Sequence, residues 1–160
     1  MNLLSSFKKV FIMGIGGSGM SSIAKYLKQK GHNVEGYDQR ISYITNLLES
    51  DGVKTFQNLD DFKYQKDVLY IISSAINLED TFLANYNENE NVISRPKFLE
   101  LLSEEVEIIG ITGTHGKTST TALVSHIFHF NNKNASFIYG GVSGFGNLGG
   151  HFGEETQPLI

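Results

Sequence analysis

The chain has 160 residues, a net charge of −4 at pH 7 and a hydrophobic content of 40%, values that fit one globular domain, or one domain and the start of another. Lysine and arginine form no cluster, which argues against nucleic-acid binding through a basic face. The absence of cysteine excludes a disulfide scaffold, a thiolate nucleophile and a cysteine-ligated zinc site. The first apolar run, Val10–Met13, is too short for a signal peptide or a membrane span, so we expect a cytoplasmic protein.

The first two thirds of the chain alternate strand-like and helix-like patterns. The run Val10–Met13 predicts a strand that is buried on both faces. Apolar residues then recur at helical spacing from Met20 to Leu27, which predicts a helix with one buried face. The elements predicted after these are a strand at 34–37, a helix at 44–48 that ends near Gly52, a strand at 68–72, a weaker helix at 78–86, a short strand at 92–93 and a helix from Arg95 to Leu102. This alternation predicts a parallel sheet with helices on both faces.

A charged segment, Glu104–Glu107, marks a predicted domain boundary. We expect an α/β fold in which residues 1–105 form a Rossmann-like parallel-sheet domain and residues 106–160 begin a P-loop-type α/β domain. The elements predicted in this second part are a buried strand at 108–111, a helix at 118–130, a polar turn at 131–134 and a strand that starts at 137–139. Half of the residues from Gly140 to Gly153 are glycine, which predicts a loop. Because the sequence stops inside an apolar run at 158–160, we expect the second domain to be truncated.

A first glycine motif, Gly14–Gly19, reads G-x-G-x-x-G between a predicted strand and a predicted helix. In that position glycine lets backbone N–H groups approach a phosphate closely, and the helix N-terminus supplies unsatisfied donors. Asp38 follows the next strand, where its carboxylate can accept hydrogen bonds from ribose hydroxyls. The motif therefore predicts a dinucleotide or nucleoside-diphosphate site. The alternative is a glycine turn that only allows close packing, with Asp38 as an ordinary turn residue.

A second glycine motif, Gly113–Thr118, reads GTHGKT between a predicted strand and a predicted helix. Its N–H groups can surround a triphosphate, Lys117 can reach the outer phosphates, and the Thr118 hydroxyl can ligate Mg²⁺. The general P-loop pattern requires a glycine at position 111, which is Ile111 here, so the motif is a variant of that pattern. The alternative is a chance Gly-Lys-Thr turn.

The five histidines do not predict a metal site. His115 lies inside the second motif, either as a phosphate neighbour or as a residue selected for the shape of the loop. His126 and His129 fall on the following helix, where packing or surface roles are expected. His32 and His151 carry no functional signal. Since no pair of histidines has metal-site spacing with a partner carboxylate, we predict no zinc.

Two phosphate-type loops in this order resemble the Mur ligase family. The resemblance covers essentially the whole chain and is carried by four segments, with the glycine pair at 140–141 also similar. These segments are Gly14–Ser21, reading GIGGSGMS, Ser73–Ile76 after the strongest strand, Arg95-Pro96 before a leucine-rich helix, and Gly113–Thr118.

The resemblance implies a UDP-substrate domain, a central ATP-binding domain and a C-terminal domain, of which only the first would be whole here. It implies ATP-dependent joining of L-alanine to UDP-N-acetylmuramate through an acyl phosphate, with Mg²⁺ as cofactor. The chain by itself would then bind nucleotide without catalysis, because the acidic Mg²⁺-binding segment and the C-terminal domain would be missing.

The resemblance also implies two sets of site residues. The implied UDP-substrate site contains Gly14, Gly16, Gly17, Ser18, Gly19, Met20, Asp38, Ser73, Ser74, Ala75, Ile76 and Arg95. The implied ATP site contains Gly113, Thr114, His115, Gly116, Lys117, Thr118 and Ser119. Of these, Lys117, Thr118 and His115 would act in catalysis, and Thr118 would be a metal ligand.

Three alternatives stay open. Within the family, a recycling ligase that adds a tripeptide to UDP-N-acetylmuramate has a similar layout. An NAD-dependent oxidoreductase could use the first loop but leaves the second unexplained. A P-loop kinase or GTPase could use the second loop, but a whole α/β domain precedes that loop here.

Overall fold

The computed structural model describes residues 3–142 and 147–160. The helices are α1 (Leu3–Ser6), α2 (Ser18–Gln29), α3 (Tyr43–Ser50), α4 (Arg95–Glu105) and α5 (Lys117–Phe130). The strands are β1 (Lys9–Met13), β2 (Asn33–Tyr37), β3 (Lys54–Phe56), β4 (Val68–Ile72), β5 (Val92–Ser94), β6 (Phe137–Val142) and β7 (Leu148–His151). No helix in the described part of the chain combines the length and hydrophobicity that crossing a membrane requires.

Five strands form a parallel sheet in the order β3-β2-β1-β4-β5, which confirms the predicted α/β fold. Met13, the last residue of β1, pairs with Tyr37 on one side and with Ile72 on the other. The three central strands therefore end level with one another. The loops that follow them emerge side by side at the carboxyl edge of the sheet, where open parallel sheets bind ligands.

Two hydrophobic clusters cover the two faces of this sheet. Val10 and Ile12 of β1 belong to one cluster, together with Ile23 of α2. Phe11 points to the opposite face, where its ring centroid lies 5.1 Å from that of Phe62. Alternate residues of β1 thus enter different cores, and its burial on both faces explains why it reads as a continuous apolar run.

Local sequence signals set the ends of two helices. The Ser42 side chain accepts a hydrogen bond from the Thr45 backbone N–H, and the Thr45 hydroxyl accepts one from the Ser42 N–H, so α3 begins with a capping box. At α4, the Ser94 hydroxyl accepts from the Lys97 N–H, and Pro96 lies in the first helical turn. These caps confirm the predicted helix starts, although α4 runs three residues beyond the predicted end.

The weaker helix predicted at 78–86 is wrong. The structure has two 3₁₀ turns instead, Leu78–Asp80 and Ala84–Tyr86. The Thr81 hydroxyl donates to the Leu78 carbonyl and accepts from the Leu83 N–H, so a side chain takes up backbone bonds that a continuous helix would use. Two short elements, α1 and the edge strand β3, were not predicted.

The strand predicted at 108–111 is also wrong. Only Ile108 makes a β-bridge, with Leu159, and Ile108 and Ile109 are 38% and 37% exposed. Leu159 donates its N–H to the Glu107 carbonyl and accepts from the Ile109 N–H, both at 2.8 Å. Within residues 3–142 and 147–160 no other strand pairs with this segment besides the one residue Leu159. The segment therefore does not form the continuous backbone hydrogen bonds of a buried strand.

The loop predicted from Gly140 to Gly153 is wrong for residues 140–142 and 148–151, which belong to the strands β6 and β7 of an antiparallel hairpin. Residues 143–146, which belong to the same prediction, lie outside the described residues. The glycines allow the hairpin to approach α2: a Cβ on Gly150 would lie 1.9 Å from the Ser22 carbonyl oxygen. In addition, the Ser22 hydroxyl donates to the Tyr139 carbonyl at 2.6 Å. The glycines here serve close packing rather than loop flexibility.

Replacing Gly150 tests this packing. Gly150→Ala should lower the free energy of unfolding by about 1–3 kcal/mol, because its methyl group would overlap the backbone of α2. Gly110→Ala is the matched control, since a Cβ there meets nothing within 4 Å, and a change within about 0.5 kcal/mol is expected. Urea denaturation of both variants measures the difference. Equal stabilities would show that the hairpin does not pack on α2 as described.

Candidate functional site

The first glycine loop turns sharply away from β1 between the ends of β2 and β4. The N–H groups of Gly14 and Ile15 both donate to the Tyr37 carbonyl, at 2.7 and 3.0 Å. Gly14 has a φ of 78°, and a Cβ on it would lie 2.9 Å from the Ser73 Cβ. Both the backbone conformation and the lack of space therefore require glycine at this position.

Asp38 contacts the first loop directly. One of its carboxylate oxygens accepts from the Gly16 N–H at 2.9 Å, and the other accepts from the Arg40 N–H at 3.1 Å. A Cβ on Gly16 would lie 2.7 Å from that first oxygen. Each carboxylate oxygen can accept more than one hydrogen bond, so Asp38 keeps acceptor capacity for a ligand beside the loop.

The turn after β4 lines the other side of the first loop. The Ser73 N–H donates to the Met13 carbonyl at 3.0 Å, which continues the pairing of β4 with β1. The Ser73 hydroxyl accepts from the Ala75 N–H at 3.3 Å, and the Ser73 carbonyl accepts from the Ile76 N–H at 3.0 Å. Ser74 and Ala75 are exposed at the tip of this turn.

Arg95 supplies a positive charge at the start of α2. A Cβ on Gly19 would lie 2.7 Å from the central guanidinium carbon of Arg95, so the guanidinium lies directly against the first turn of α2. Arg95 is exposed, and its guanidinium takes part in none of the ion pairs found among the described residues. A guanidinium beside a helix N-terminus is a favourable arrangement for a phosphate group.

The structure therefore brings together most of the residues predicted for the UDP substrate. Gly17 is the N-cap of α2, and Ser18 is exposed beside it. Met20 is different, because its side chain is 3% exposed and belongs to the hydrophobic core. The residues that converge at the carboxyl edge are Gly14, Gly16, Gly19, Asp38, Ser73, Ile76 and Arg95.

The second loop leads into α5, and its lysine folds back over it. Gly116 adopts the left-handed conformation with a φ of 79°, and α5 begins at the next residue, Lys117. The Lys117 ammonium donates to the Gly113 carbonyl and to the Thr114 carbonyl, the latter at 3.2 Å. A left-handed residue followed by helical residues turns successive N–H groups toward one side and makes a concavity for an anion.

Thr118 and Ser119 lie in the first turn of α5, and both are exposed. The Thr118 hydroxyl donates to the Gly140 carbonyl at 3.3 Å, which leaves its two lone pairs as acceptors. A hydroxyl oxygen of this kind fits a magnesium ion, which in proteins is held by few protein ligands together with substrate phosphates and water. The described residues hold no cluster of three or more histidine, aspartate or glutamate side chains suited to a metal ion.

The histidines occupy different surroundings. His115 is exposed in the second loop, and its ring makes no hydrogen bond with the described part of the chain. His126 and His129 are exposed on α5 and line a cleft of about 530 Å³ between α2, α5 and the β6–β7 hairpin. His151 lines the same cleft and is hydrogen-bonded to the Asn134 side-chain oxygen at 2.8 Å. The ring of His32 is hydrogen-bonded to the Phe7 carbonyl at 2.9 Å.

His151 makes the stability of the hairpin sensitive to pH. Burial lowers the pKa of His151 from 6.5, and the positive charges of Lys25 and His129 lower it further. A depressed pKa in the folded state means that the unfolded chain binds the proton more tightly. Neutral His151 therefore contributes stability to the folded state above pH 6.5. This stability is lost as the pH falls through the pKa of His151 in the folded state.

His151→Gln should reduce the loss of melting temperature between about pH 7.5 and about pH 5.5, because glutamine cannot take up the proton. His115→Gln is the matched control, since His115 is exposed in the second loop. Melting curves across this range measure the effect. The same slope for His151→Gln and the original chain would contradict the assignment.

A parallel α/β domain with a glycine loop before one helix, followed by a lysine-containing glycine loop before another, defines a class of nucleotide-binding proteins. The sequence profile of the Mur ligase family, catalytic domain, matches residues 9–107. Because this match covers more than half of the 160 residues, the chain belongs to the Mur ligase family.

Several curated relatives are named UDP-N-acetylmuramate–L-alanine ligase. The chain is 35% identical over 147 residues to the UDP-N-acetylmuramate–L-alanine ligase of Cytophaga hutchinsonii, a match that covers 88% of this chain and 32% of that protein. It is 36% identical over 146 residues to the ligase of the same name from Caldicellulosiruptor bescii, covering 90% of this chain and 32% of the relative. The chain thus spans about a third of the length of these relatives.

Solved structures of the family have the same fold. The UDP-N-acetylmuramate–alanine ligase of Thermotoga maritima superposes with a TM-score of 0.78 at 26% identity, over 95% of this chain and 36% of that one. The UDP-N-acetylmuramate:L-alanyl-γ-D-glutamyl-meso-diaminopimelate ligase from Neisseria meningitides superposes with a TM-score of 0.76 at 24% identity, over 96% of this chain and 51% of that one.

Sequence reasoning missed the position of β6, which lies against the helices that follow both loops. Tyr139 and Gly140 of β6 lie against the first turns of α2, and Gly140 also contacts Thr118 of α5. The glycine pair at 140–141 is the signal for it in the sequence, but the glycine content there predicts a loop. A pairing of residues more than a hundred positions apart carries no local sequence pattern.

Proposed function

We propose that this chain is part of an ATP-dependent ligase that joins L-alanine to UDP-N-acetylmuramate. One arrangement carries the proposal: Asp38, the turn at Ser73–Ile76 and Arg95 converge on the first glycine loop, while Lys117 folds over a second one. Two phosphate-type loops match a reaction that uses two nucleotide substrates. The names of the relatives from Cytophaga hutchinsonii and Caldicellulosiruptor bescii support the choice of substrates.

The proposed reaction belongs to a longer protein, because the chain spans about a third of the relatives' length. In this proposal residues 1–105 bind the UDP substrate, and residues 106–160 begin the ATP-binding domain. The fragment alone would bind nucleotide without completing a catalytic cycle. A cytoplasmic location, where ATP and sugar nucleotides are made, is part of the same proposal.

The first loop would hold the pyrophosphate of UDP-N-acetylmuramate. The N–H groups at the start of α2 and the Arg95 guanidinium would neutralise its charge. Asp38 would accept hydrogen bonds from ribose hydroxyls, as acidic residues after the second strand of such sheets do. The turn at Ser73–Ile76 would close the other side of the same crevice.

The second loop would hold the triphosphate of ATP. The ammonium of Lys117 would leave the carbonyls of Gly113 and Thr114 and bind the outer phosphates. The Thr118 oxygen would be one ligand of Mg²⁺, which when bound supplies charge neutralisation for the phosphoryl group. His115, exposed in the same loop, would lie next to the phosphates.

The chemistry would proceed in two balanced steps. A carboxylate oxygen of UDP-N-acetylmuramate attacks the γ-phosphorus of ATP, the bond to the ADP oxygen breaks, and an acyl phosphate forms. The amine of L-alanine then attacks the acyl carbon, phosphate leaves, and the amine loses a proton. The residues of this chain would contribute positioning and charge stabilisation rather than a covalent intermediate.

Removing one charge from each loop should separate the two binding sites. Lys117→Ala should weaken binding of ATP by about tenfold or more and leave binding of UDP-N-acetylmuramate unchanged. Arg95→Ala should do the reverse. Lys63→Ala is a suitable control, because Lys63 lies near the start of β4, away from both loops. Equal losses of both affinities in Lys117→Ala would contradict this division of roles.

Calorimetric titration tests the function itself. The chain should bind UDP-N-acetylmuramate and should not bind NADH, because the relatives that support the proposal are named for a UDP-sugar substrate and not for a nicotinamide dinucleotide. Binding of NADH alone would overturn the ligase proposal in favour of the oxidoreductase. If neither binds, the titration is repeated on the full-length protein, and failure there overturns the proposal.

A second candidate is a ligase that adds a tripeptide to the same sugar nucleotide. Its support is the fold shared with the structure from Neisseria meningitides, at 24% identity. Phosphate release by the full-length protein with L-alanine, compared with release with the tripeptide, distinguishes the two candidates.

A further inference from the structure

Strand β6 lies directly against the first glycine loop. A Cβ on Gly140 would lie 3.2 Å from the Ser18 hydroxyl oxygen and 3.7 Å from the Gly19 backbone nitrogen. One residue earlier, the Tyr139 carbonyl accepts a hydrogen bond from the Ser22 hydroxyl at 2.6 Å. The strand is therefore bonded to α2 within its first two turns, at the point where the first loop enters the helix.

The same residue contacts the second loop. The Thr118 hydroxyl donates to the Gly140 carbonyl at 3.3 Å. A Cβ on the next residue, Gly141, would lie 3.4 Å from the Thr118 methyl carbon. Gly140 thus lies between the first turn of α2 and the first turn of α5: its carbonyl accepts from Thr118, and a side chain on it would meet Ser18.

We propose that Gly140 is a positioning residue that sets the separation of the two phosphate loops and couples the binding of the two nucleotides. This inference rests on the proposed function for the identity of the ligands. Phosphoryl transfer requires the attacking oxygen and the phosphorus to come within about 3–3.5 Å, and a misplacement of about 1 Å costs about a hundredfold in rate. A spacer between the loops is one way to hold that distance.

The spacer has to be small. Gly140 does not have a left-handed φ, so a side chain there is not strained by the backbone. A side chain is disfavoured there by lack of space. A methyl group would crowd the Ser18 hydroxyl, and the branches of valine would reach the start of α2. The Gly140 carbonyl also accepts the Thr118 proton, which orients the lone pairs of that hydroxyl. Moving Gly140 would disturb both loops at once.

The experiment compares Gly140→Val and the milder Gly140→Ala with Val142→Thr. Val142 lies on the same strand and is 37% exposed, so its replacement by a residue of similar shape controls for a change within β6. The first measurement needs no ligand: the amide NMR signals of Gly19 and Ser119 report on the two loops. We expect both signals to shift in Gly140→Val and neither to shift in Val142→Thr.

The second measurement is the coupling between ligands. The affinity for an ATP analogue with a non-transferable γ-phosphate is measured with and without saturating UDP-N-acetylmuramate. In the original chain we expect each ligand to strengthen the other about fivefold or more. In Gly140→Val we expect this coupling to fall below about twofold, with Gly140→Ala between them. Each affinity measured alone should change much less.

Three outcomes would overturn the inference: no coupling in the original chain, coupling that Gly140→Val retains, or amide signals that shift in only one loop. If Gly140→Val does not fold, Gly140→Ala carries the same comparison. If the original chain does not bind both nucleotides, the coupling is measured on the full-length protein, and failure to bind there would overturn the proposed function instead. The ligand-free amide signals would then decide alone whether Gly140 connects the loops.

Discussion

The level ending of β1, β2 and β4 is the constraint on which the rest of this structure depends. Because Met13 pairs with Tyr37 on one side and Ile72 on the other, the next residues of all three strands emerge at one edge. A shift of one strand by a single residue would turn its side chains to the other face and bury the wrong set. The two cores on either side of the sheet oppose such a shift, since alternate residues of β1 belong to different cores.

Glycine serves three different purposes in this chain. Gly14 supplies a left-handed backbone conformation and leaves room for the turn after β4. Gly16 and Gly19 leave room for charged side chains, the carboxylate of Asp38 and the guanidinium of Arg95. Gly149 and Gly150 leave room for other backbone and aromatic atoms, which allows the β6–β7 hairpin to pack closely. Composition alone does not distinguish these uses, since each is defined by what lies opposite the missing side chain.

The proposed ATP loop differs from the first loop in its surroundings. The first loop is fixed by hydrogen bonds to the Tyr37 carbonyl and by packing against Asp38, Ser73 and Arg95. Residues 113–120 are exposed, and Thr118 contacts the glycine pair of β6. The family relatives are about three times as long as this chain. In the role proposed for Gly140, the contact of Thr118 with β6 helps to set the separation of the two loops.

The sequence by itself determined local features of this protein: the buried strands of the parallel sheet, the starts of α3 and α4, and the two glycine loops that each precede a helix. These depend on neighbours along the chain, such as an apolar run, apolar residues at helical spacing, or a lysine next to glycine. Only the tertiary structure decided that Asp38 accepts from the Gly16 N–H and that Arg95 lies against Gly19. It also decided that the segment 108–111 pairs through Ile108 and that Gly140 lies between α2 and α5. The physical reason is that each of these contacts joins residues far apart in the chain. Their meeting is set by sheet register and by close packing, which leave no local pattern in the sequence.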